Sequence, residues 1–289
     1  MRRAHTGHMP ELPEVSALVD FLTPRLVGEF IAQVDIAELS LLHTADPPLD
    51  AVIGLEITGV RRVGKALVID FDGLSLVCRF ARAGWLVWHD AAPSTPVRMG
   101  KGPLGMRVTF ASGSGFDLTE AGTKKNASVS LVRDLGDVAA LADAGPDALE
   151  ITAEQFAAAL AGTTSRVKTV LDDQSVVAGI GNAFSDEILH TAKISPFATA
   201  NKADADAVFA AMTSVLTAAR EALSGLPPAK IKAAKKKLLR VHGRTGQTCP
   251  VCGTTIAEVS FTDRSLQYCP GCQTGGKRLS DRRMDRLLK

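Results

Sequence analysis

Val15, Leu18, Val19, Leu22 and Leu26 recur at steps of three and four residues, which predicts a helix over Glu14 to Leu26 with one apolar face. After Gly28 the period changes. Short apolar or alternating runs at Phe30 to Ile36, Glu56 to Val63, Ala66 to Phe71, Leu74 to Cys78, Gly84 to His89, Met106 to Ala111 and Ser128 to Val132 predict seven strands. Turn signals such as Asp72-Gly73 and Ser112-Gly113-Ser114-Gly115 separate them, and strands this short at this spacing predict a sandwich or barrel. Beyond Asp134 the chain is Ala-rich and helical. Thr152 caps toward Gln155 at the head of a run to Leu160, and Arg166 to Leu171, Asn182 to Ala192 and Ala203 to Leu223 follow. Gly145-Pro146 punctuates the change in composition, and Gly225 to Pro228 closes the helical part before a Lys-rich stretch. Two or three domains are expected for 289 residues organised in this way.

Composition narrows the class. Apolar residues make up 46% of the chain and charged ones 22%, with no uninterrupted apolar run near the roughly 20 residues a bilayer crossing needs. Arg2 and Arg3 are not followed by the apolar core of a secretory signal, so a cytoplasmic protein without a membrane partner is expected. The net charge of +2 conceals a strong asymmetry. Residues 226 to 289 hold fourteen Lys or Arg against four Asp or Glu, leaving 19 against 27 in residues 1 to 225. A local excess of that size suits a polyanion, because each neutralised phosphate releases counterions; a solvated, self-repelling tail is the plainer alternative.

Of five cysteines, four form the pairs Cys249-Pro-Val-Cys252 and Cys269-Pro-Gly-Cys272, with sixteen residues between the pairs. Two knuckles of two thiolates each can close a tetrahedral shell around one zinc ion, and four protein ligands leave no open position for water, so the ion is expected to be structural. In a reducing compartment this reading prevails over disulfides. Cys78 lies in an apolar run and reads as a core thiol. Between the knuckles, Ile256 to Phe261 and Ser265 to Tyr268 read as a hairpin turned by Thr262-Asp263-Arg264. Arg264 at its tip is either a phosphate-facing fork of donors or an ordinary surface residue. The spacing also suits ribbons of ribosomal and transcription proteins, and a zinc-ribbon RNA-binding protein is one alternative.

That alternative leaves Met9-Pro10-Glu11-Leu12-Pro13-Glu14-Val15 unexplained, since neither helix nor strand patterning calls for two prolines and two glutamates there. The segment resembles the start of the formamidopyrimidine-DNA glycosylase and endonuclease VIII family. Val63-Gly64-Lys65 is similar to that family's lysine-bearing turn, Asp173-Gln174 through Gly179-Ile180-Gly181-Asn182 to its helix-two-turn-helix signature, and the four-cysteine hairpin completes the match over residues 9 to 273. The resemblance implies an α+β multidomain fold: an N-terminal β-sandwich flanked by helices over residues 9–134, a helix-two-turn-helix domain over 149–228 and a zinc-finger hairpin over 243–273, beyond which the chain adds a basic tail over 274–289. It implies a monomer acting on damaged double-stranded DNA in base excision repair, associated with a bacterial nucleoid, with zinc and no small-molecule cofactor. Pro10 would be the nucleophile, Glu11 the acid or base, Glu14 the group orienting the amine, and Lys65 a contact to phosphate or departing base. Glu11 and Glu14 also suit a plain helix start. Asn182 and Arg264 would hold DNA beside the lesion, with Lys168 as a further candidate, and Asn182 suits a helix cap as well.

Three features depart from the resemblance. As written, residues 1–8 make Pro10 an internal amide without a nucleophilic nitrogen, so they are read as an extension that is removed or a start placed too far upstream. The alternative is a catalytically inactive damaged-DNA-binding protein on the same scaffold. Flipping a base leaves a gap to fill, yet Arg79 to Gly84 and Glu120 to Asn126 lack the family's apolar wedge. Arg82, Lys124 and Lys125 are the side chains available there. Lastly, Lys277, Arg278, Arg282, Arg283, Arg286 and Lys289, interleaved with Leu279, Met284, Leu287 and Leu288, suggest a short basic amphipathic helix. It would either dock on the protein or touch DNA.

Overall fold

The computed structural model describes residues 9–100, 102–122, 124–261 and 264–280. The expected extension over residues 1–8, the tail beyond Ser280 and Thr262-Asp263 of the hairpin turn lie outside the described residues. The described chain forms two compact units, one within Met1–Asp143 and Arg220–Ala234, the other within Ala144–Ala219 and Lys235–Lys289.

The first unit opens with α1 (Leu12–Leu26). Leu12, Val15, Leu18, Leu22 and Leu26 are fully buried, each contributing about 1.5–3 kcal/mol by leaving water. Eight strands follow: β1 (Ile31–Ile36), β2 (Gly59–Val63), β3 (Ala66–Asp70), β4 (Ser75–Arg79), β5 (Gly84–His89), β6 (Leu104–Phe110), β7 (Gly115–Glu120) and β8 (Ser128–Val132). They pair as two antiparallel four-stranded sheets, in the orders β1-β6-β7-β5 and β2-β3-β4-β8. Inward residues of both sheets, among them Leu67, Leu76, Met106, Phe116, Leu118 and Leu131, share one core with α1 and with Leu223 and Ile231. The expected sandwich is present with one strand more than the pattern announces, β7. A second small cluster of Ala66, Val68, Val77, Val132 and Val138 lies ahead of α2 (Ala139–Ala142).

The second unit contains α3 (Ala153–Ala161), α4 (Val167–Asp172), α5 (Asn182–Thr191), most of α6 (Ala205–Leu223), the end of α7 (Pro228–Leu238), the hairpin β9 (Ala257–Ser260) and β10 (Ser265–Tyr268), and the single turn α8 (Pro270–Gln273). Thr152 and Gln155 form the expected capping box of α3. The Lys-rich stretch proves to be the helix α7. Ile231 and Lys235 are buried on one side of it, with Lys235 Nζ 5.0 Å from the Phe184 ring centroid, a cation–π contact that lets a lysine take a buried position.

Candidate functional site

At the start of α1, Pro10 is buried, as are Glu11 and Glu14, which are 2% and 3% exposed. The Glu11 N–H donates to the Glu14 carboxylate at 3.3 Å, and the Glu11 carboxylate accepts from the backbone of Glu14, a reciprocal capping box. Two carboxylates are thus held side by side where the helix dipole favours negative charge. The β2–β3 turn carries Lys65, which is half-buried. Arg62 fixes this turn to α1, donating to Ser16 Oγ at 3.1 Å and to the Gly64 carbonyl at 2.8 Å. Gly64 takes φ 55°, the left-handed conformation that the tight turn needs.

Arg82 is exposed on the short β4–β5 turn. That turn is strained: Ala81 adopts φ 47°, and a Cβ at Gly84 would stand 2.1 Å from the Phe80 carbonyl oxygen. Between β7 and β8, Lys124 is exposed. Lys125 is partly buried, its ammonium donating to the carbonyls of Glu120 and Gly102. The Glu120 carboxylate accepts the N–H groups of Asn126 and Ala127. Of the three cations expected to face a gap in DNA, Lys125 is therefore committed to holding its own loop.

In the second unit, α5 begins at Asn182 behind the extended Gly181, with no acidic residue in its first turn and no side-chain cap. Asn182 Nδ2 donates to the Ser265 carbonyl of β10 at 2.8 Å, and Oδ1 is buried without a hydrogen-bond partner among the described residues. Arg264, half exposed at the hairpin tip, has Nη1 3.6 Å from Asp172 Oδ2. Asn182, Arg264 and Arg166 line one open recess of about 350 Å³. Arg166 was not singled out by the sequence; its guanidinium stacks 3.9 Å from the Phe197 ring centroid, and its one signal is its place at the head of α4.

Lys168 lines the same recess as Asn182 and Arg264, as a buried side chain rather than an exposed one. It is 6% exposed, and its ammonium is held by Ser185 Oγ at 2.6 Å, the Asn182 carbonyl at 3.2 Å and Asp186 Oδ1 at 2.8 Å. Asp186 in turn meets His242 Nδ1 at 2.8 Å and accepts the Gln267 N–H at 3.0 Å. Beside it, Glu187 accepts the N–H groups of Arg240, Val241 and His242 at 2.8–2.9 Å. Burial pushes the Glu187 carboxyl up against the pull of these three donors. One face of α5 thereby joins α4 to the segment that precedes the zinc module. Such buried charges look like surface residues in a sequence, and of these only Lys168 stands out there.

The four cysteine sulfurs converge. Cys249 and Cys272 Sγ are 3.9 Å apart and Cys252 and Cys269 Sγ 3.2 Å apart, against about 3.8 Å for two thiolates on one tetrahedral zinc with Zn–S near 2.3 Å. Thr254, donating through its hydroxyl and its N–H, brings the exposed Cys252 thiol down to about 6, whereas burial pushes Cys269 and Cys272 up. In the second knuckle a Cβ at Gly271 would meet Thr254 Oγ1 at 2.4 Å and Cys252 Sγ at 2.9 Å, so only glycine lets the loops close. The donor set fits a single zinc, which is structural. His190, from α5, joins Cys249, Cys269 and Cys272 in a cluster whose donor atoms all lie within 4.8 Å of one another. Cys78, as expected, is a core thiol, raised to about 12 by burial.

Three family models match the chain in order: the formamidopyrimidine-DNA glycosylase N-terminal domain over residues 9–128, the formamidopyrimidine-DNA glycosylase H2TH domain over 144–226, and a zinc finger found in FPG and IleRS over 246–275. The formamidopyrimidine-DNA glycosylase of Symbiobacterium thermophilum is 32% identical over 95% of this chain and 93% of its own length. An uncharacterised formamidopyrimidine-DNA glycosylase-like protein of Mycobacterium tuberculosis is 60% identical over half of this chain and 94% of its own length. Among solved structures, Lactococcus lactis Fpg in complex with abasic-site DNA superposes with a TM-score of 0.80 at 23% identity, covering 91% of this chain and 99% of that one. No helix among the described residues is long and apolar enough to cross a membrane.

Proposed function

The chain belongs to the formamidopyrimidine-DNA glycosylase family, and from that premise we propose that it is a bifunctional DNA glycosylase and AP lyase acting on oxidised bases through the amine of Pro10. The observation that carries this reading is Pro10 buried directly ahead of the buried pair Glu11 and Glu14. In support, the N-terminal family model matches from residue 9, as it would if the working chain started at Pro10. An N-terminal secondary amine with pKa near 8 is about one-tenth neutral at pH 7, against about a thousandth for a lysine. The amine nitrogen attacks C1′ and the bond from C1′ to the base breaks, the base leaving with a proton. Opening of the sugar leaves an iminium that acidifies C2′, so loss of that proton expels the 3′ phosphate, and a second elimination expels the 5′ phosphate. Glu11 delivers and accepts the protons at the sugar oxygen and C2′, Glu14 orients the amine, and Lys65 meets phosphate or the departing base.

In this reading Asn182 and Arg264 grip the phosphates of damaged duplex DNA from the recess they share, with Arg166 beside them. Arg82 and Lys124 face the gap left by the extruded base. We further propose that the protein works as a monomer, with Cys249, Cys252, Cys269 and Cys272 as the zinc ligands. The domains are taken as 9–134, 149–228 and 243–273. The test is a chain beginning at Pro10, its terminus checked by intact mass, treated with abasic duplex and borohydride. A covalent adduct that disappears in an acetylated Pro10→Gly variant is expected. No adduct from the free-proline protein would leave a DNA-binding protein without the chemistry.

A further inference from the structure

We propose that His190 is the electrostatic partner of the zinc module: its Nε2–H donates to the Cys249 thiolate from outside the metal shell and ties the ion to the far end of α5. His190 Nε2 lies 3.4 Å from Cys249 Sγ, and both residues are 2% exposed. A zinc ion with four thiolates carries two net negative charges, and burying that charge requires N–H groups aimed at the sulfurs. Two of the sulfurs have local donors, Cys269 the Cys272 N–H at 3.4 Å and Cys252 its neighbour Thr254. Cys249 meets a side chain 59 residues away. The ring's Nδ1 is buried without a hydrogen-bond partner among the described residues, so Nε2 is the ring nitrogen through which His190 meets the module.

The placement gives the contact a purpose. Asn182 at the first turn of α5 is bonded to Ser265 of the hairpin, and His190 at the last turn meets Cys249 of the first knuckle. The helix is therefore pinned to the zinc module at both ends, and the ion's charge helps hold the helix that presents Asn182. His190 is thus a positioning residue, acting through Cys249.

The inference rests on the structural zinc, so the first measurement is the metal content of the purified full chain. Less than about one zinc per chain would overturn the zinc reading itself. With zinc present, release to excess 4-(2-pyridylazo)resorcinol is compared for the wild type, His190→Phe and His190→Gln. The expected result is release about 10–100-fold faster for His190→Phe and near-wild-type release for His190→Gln, which keeps a side-chain N–H. Equal rates in all three would overturn the inference. In the cobalt-substituted proteins the visible spectrum of a four-thiolate site is expected to stay the same in every variant; a spectrum that changes with His190 would make the ring a ligand and overturn the outer position. Should His190→Phe fail to fold, nitrogen NMR of the wild-type ring decides the matter. A proton on Nε2 supports the inference, and a bare or metal-bound Nε2 sinks it.

Discussion

The first turns of α1 and α5 are built in opposite ways. α1 begins with two buried carboxylates that cap each other's backbone, so the positive end of its dipole is already matched by Glu11 and Glu14. α5 begins behind Gly181 with no acidic residue and no side-chain cap, and the recess beside it is lined by Arg166 and Arg264. One helix end suits protons being given and taken, the other suits phosphate. The two differ again further along. α1 buries an apolar stripe in the sandwich core, whereas α5 buries Ser185, Asp186, Glu187 and His190, each answered by another polar group. On the proposed function, chemistry and positioning fall to separate helices.

The largest effect should come from α1. Glu11→Gln is expected to slow base excision by about 10²–10⁴-fold, the usual worth of a positioned acid or base, while affinity for an abasic-analogue duplex stays unchanged. Single-turnover rates and a binding titration read the two separately, and a parallel loss of binding would break the division. Stripping zinc should weaken duplex binding by about 100-fold, the loss of two charge-assisted phosphate contacts. The Pro10 amine of the stripped protein should still be reductively alkylated by a small aldehyde at the original rate. Next comes the hairpin tip: Arg264→Ala is expected to cost about tenfold in affinity and to lower the salt slope by about one, with the melting temperature unmoved. Asn182→Ala should weaken binding and also lower the melting temperature, because it removes the bond to Ser265.

A control that touches neither helix end sharpens the contrast. Asp117 is bound by Arg107 through two hydrogen bonds of 2.7 and 2.9 Å and approached by His89 at 3.1 Å. Burial alone would raise its carboxyl, but the Arg107 and His89 interactions outweigh it and hold the group below its ordinary value. A folded pKa below the unfolded one means that the stabilisation is present above about pH 4 and is lost as the pH falls through the folded value. Asp117→Asn should therefore cost about 3 kcal/mol of unfolding free energy at neutral pH. The gap from the wild type should shrink in acid, with DNA affinity unchanged at neutral pH. Denaturant titrations at two pH values check this, and a gap independent of pH would remove the ion pair as its source.

What the sequence concealed follows from the same buried charges. β7 escaped because Ser112 to Gly115 reads as a turn and because Asp117 and Glu120 interrupt the apolar alternation, although Phe116 and Leu118 face the core. Its charges are hidden by Arg107 and by the backbone of Asn126 and Ala127, partners that no local pattern reveals. α7 escaped because five lysines mask a stripe in which Lys235 is one of the buried members. By contrast, the cysteine pairs are legible because tetrahedral ligation imposes a spacing, and Pro10 to Glu14 stands out as a dense cluster of prolines and glutamates, although Pro13 and Glu14 also serve the start of α1. Asn182 was legible from its glycine turn. Asp186, Glu187 and His190 were not, since their partners lie 18 to 81 residues away.

The turn that carries Arg82 leaves little freedom to later change. With Ala81 already in the left-handed region and the space at Gly84 taken by the Phe80 carbonyl, position 84 admits no side chain without moving the backbone. Variants that alter what this turn offers to a partner must then arise by exchanging the exposed side chain at position 82, while the loop's path is inherited as a constant.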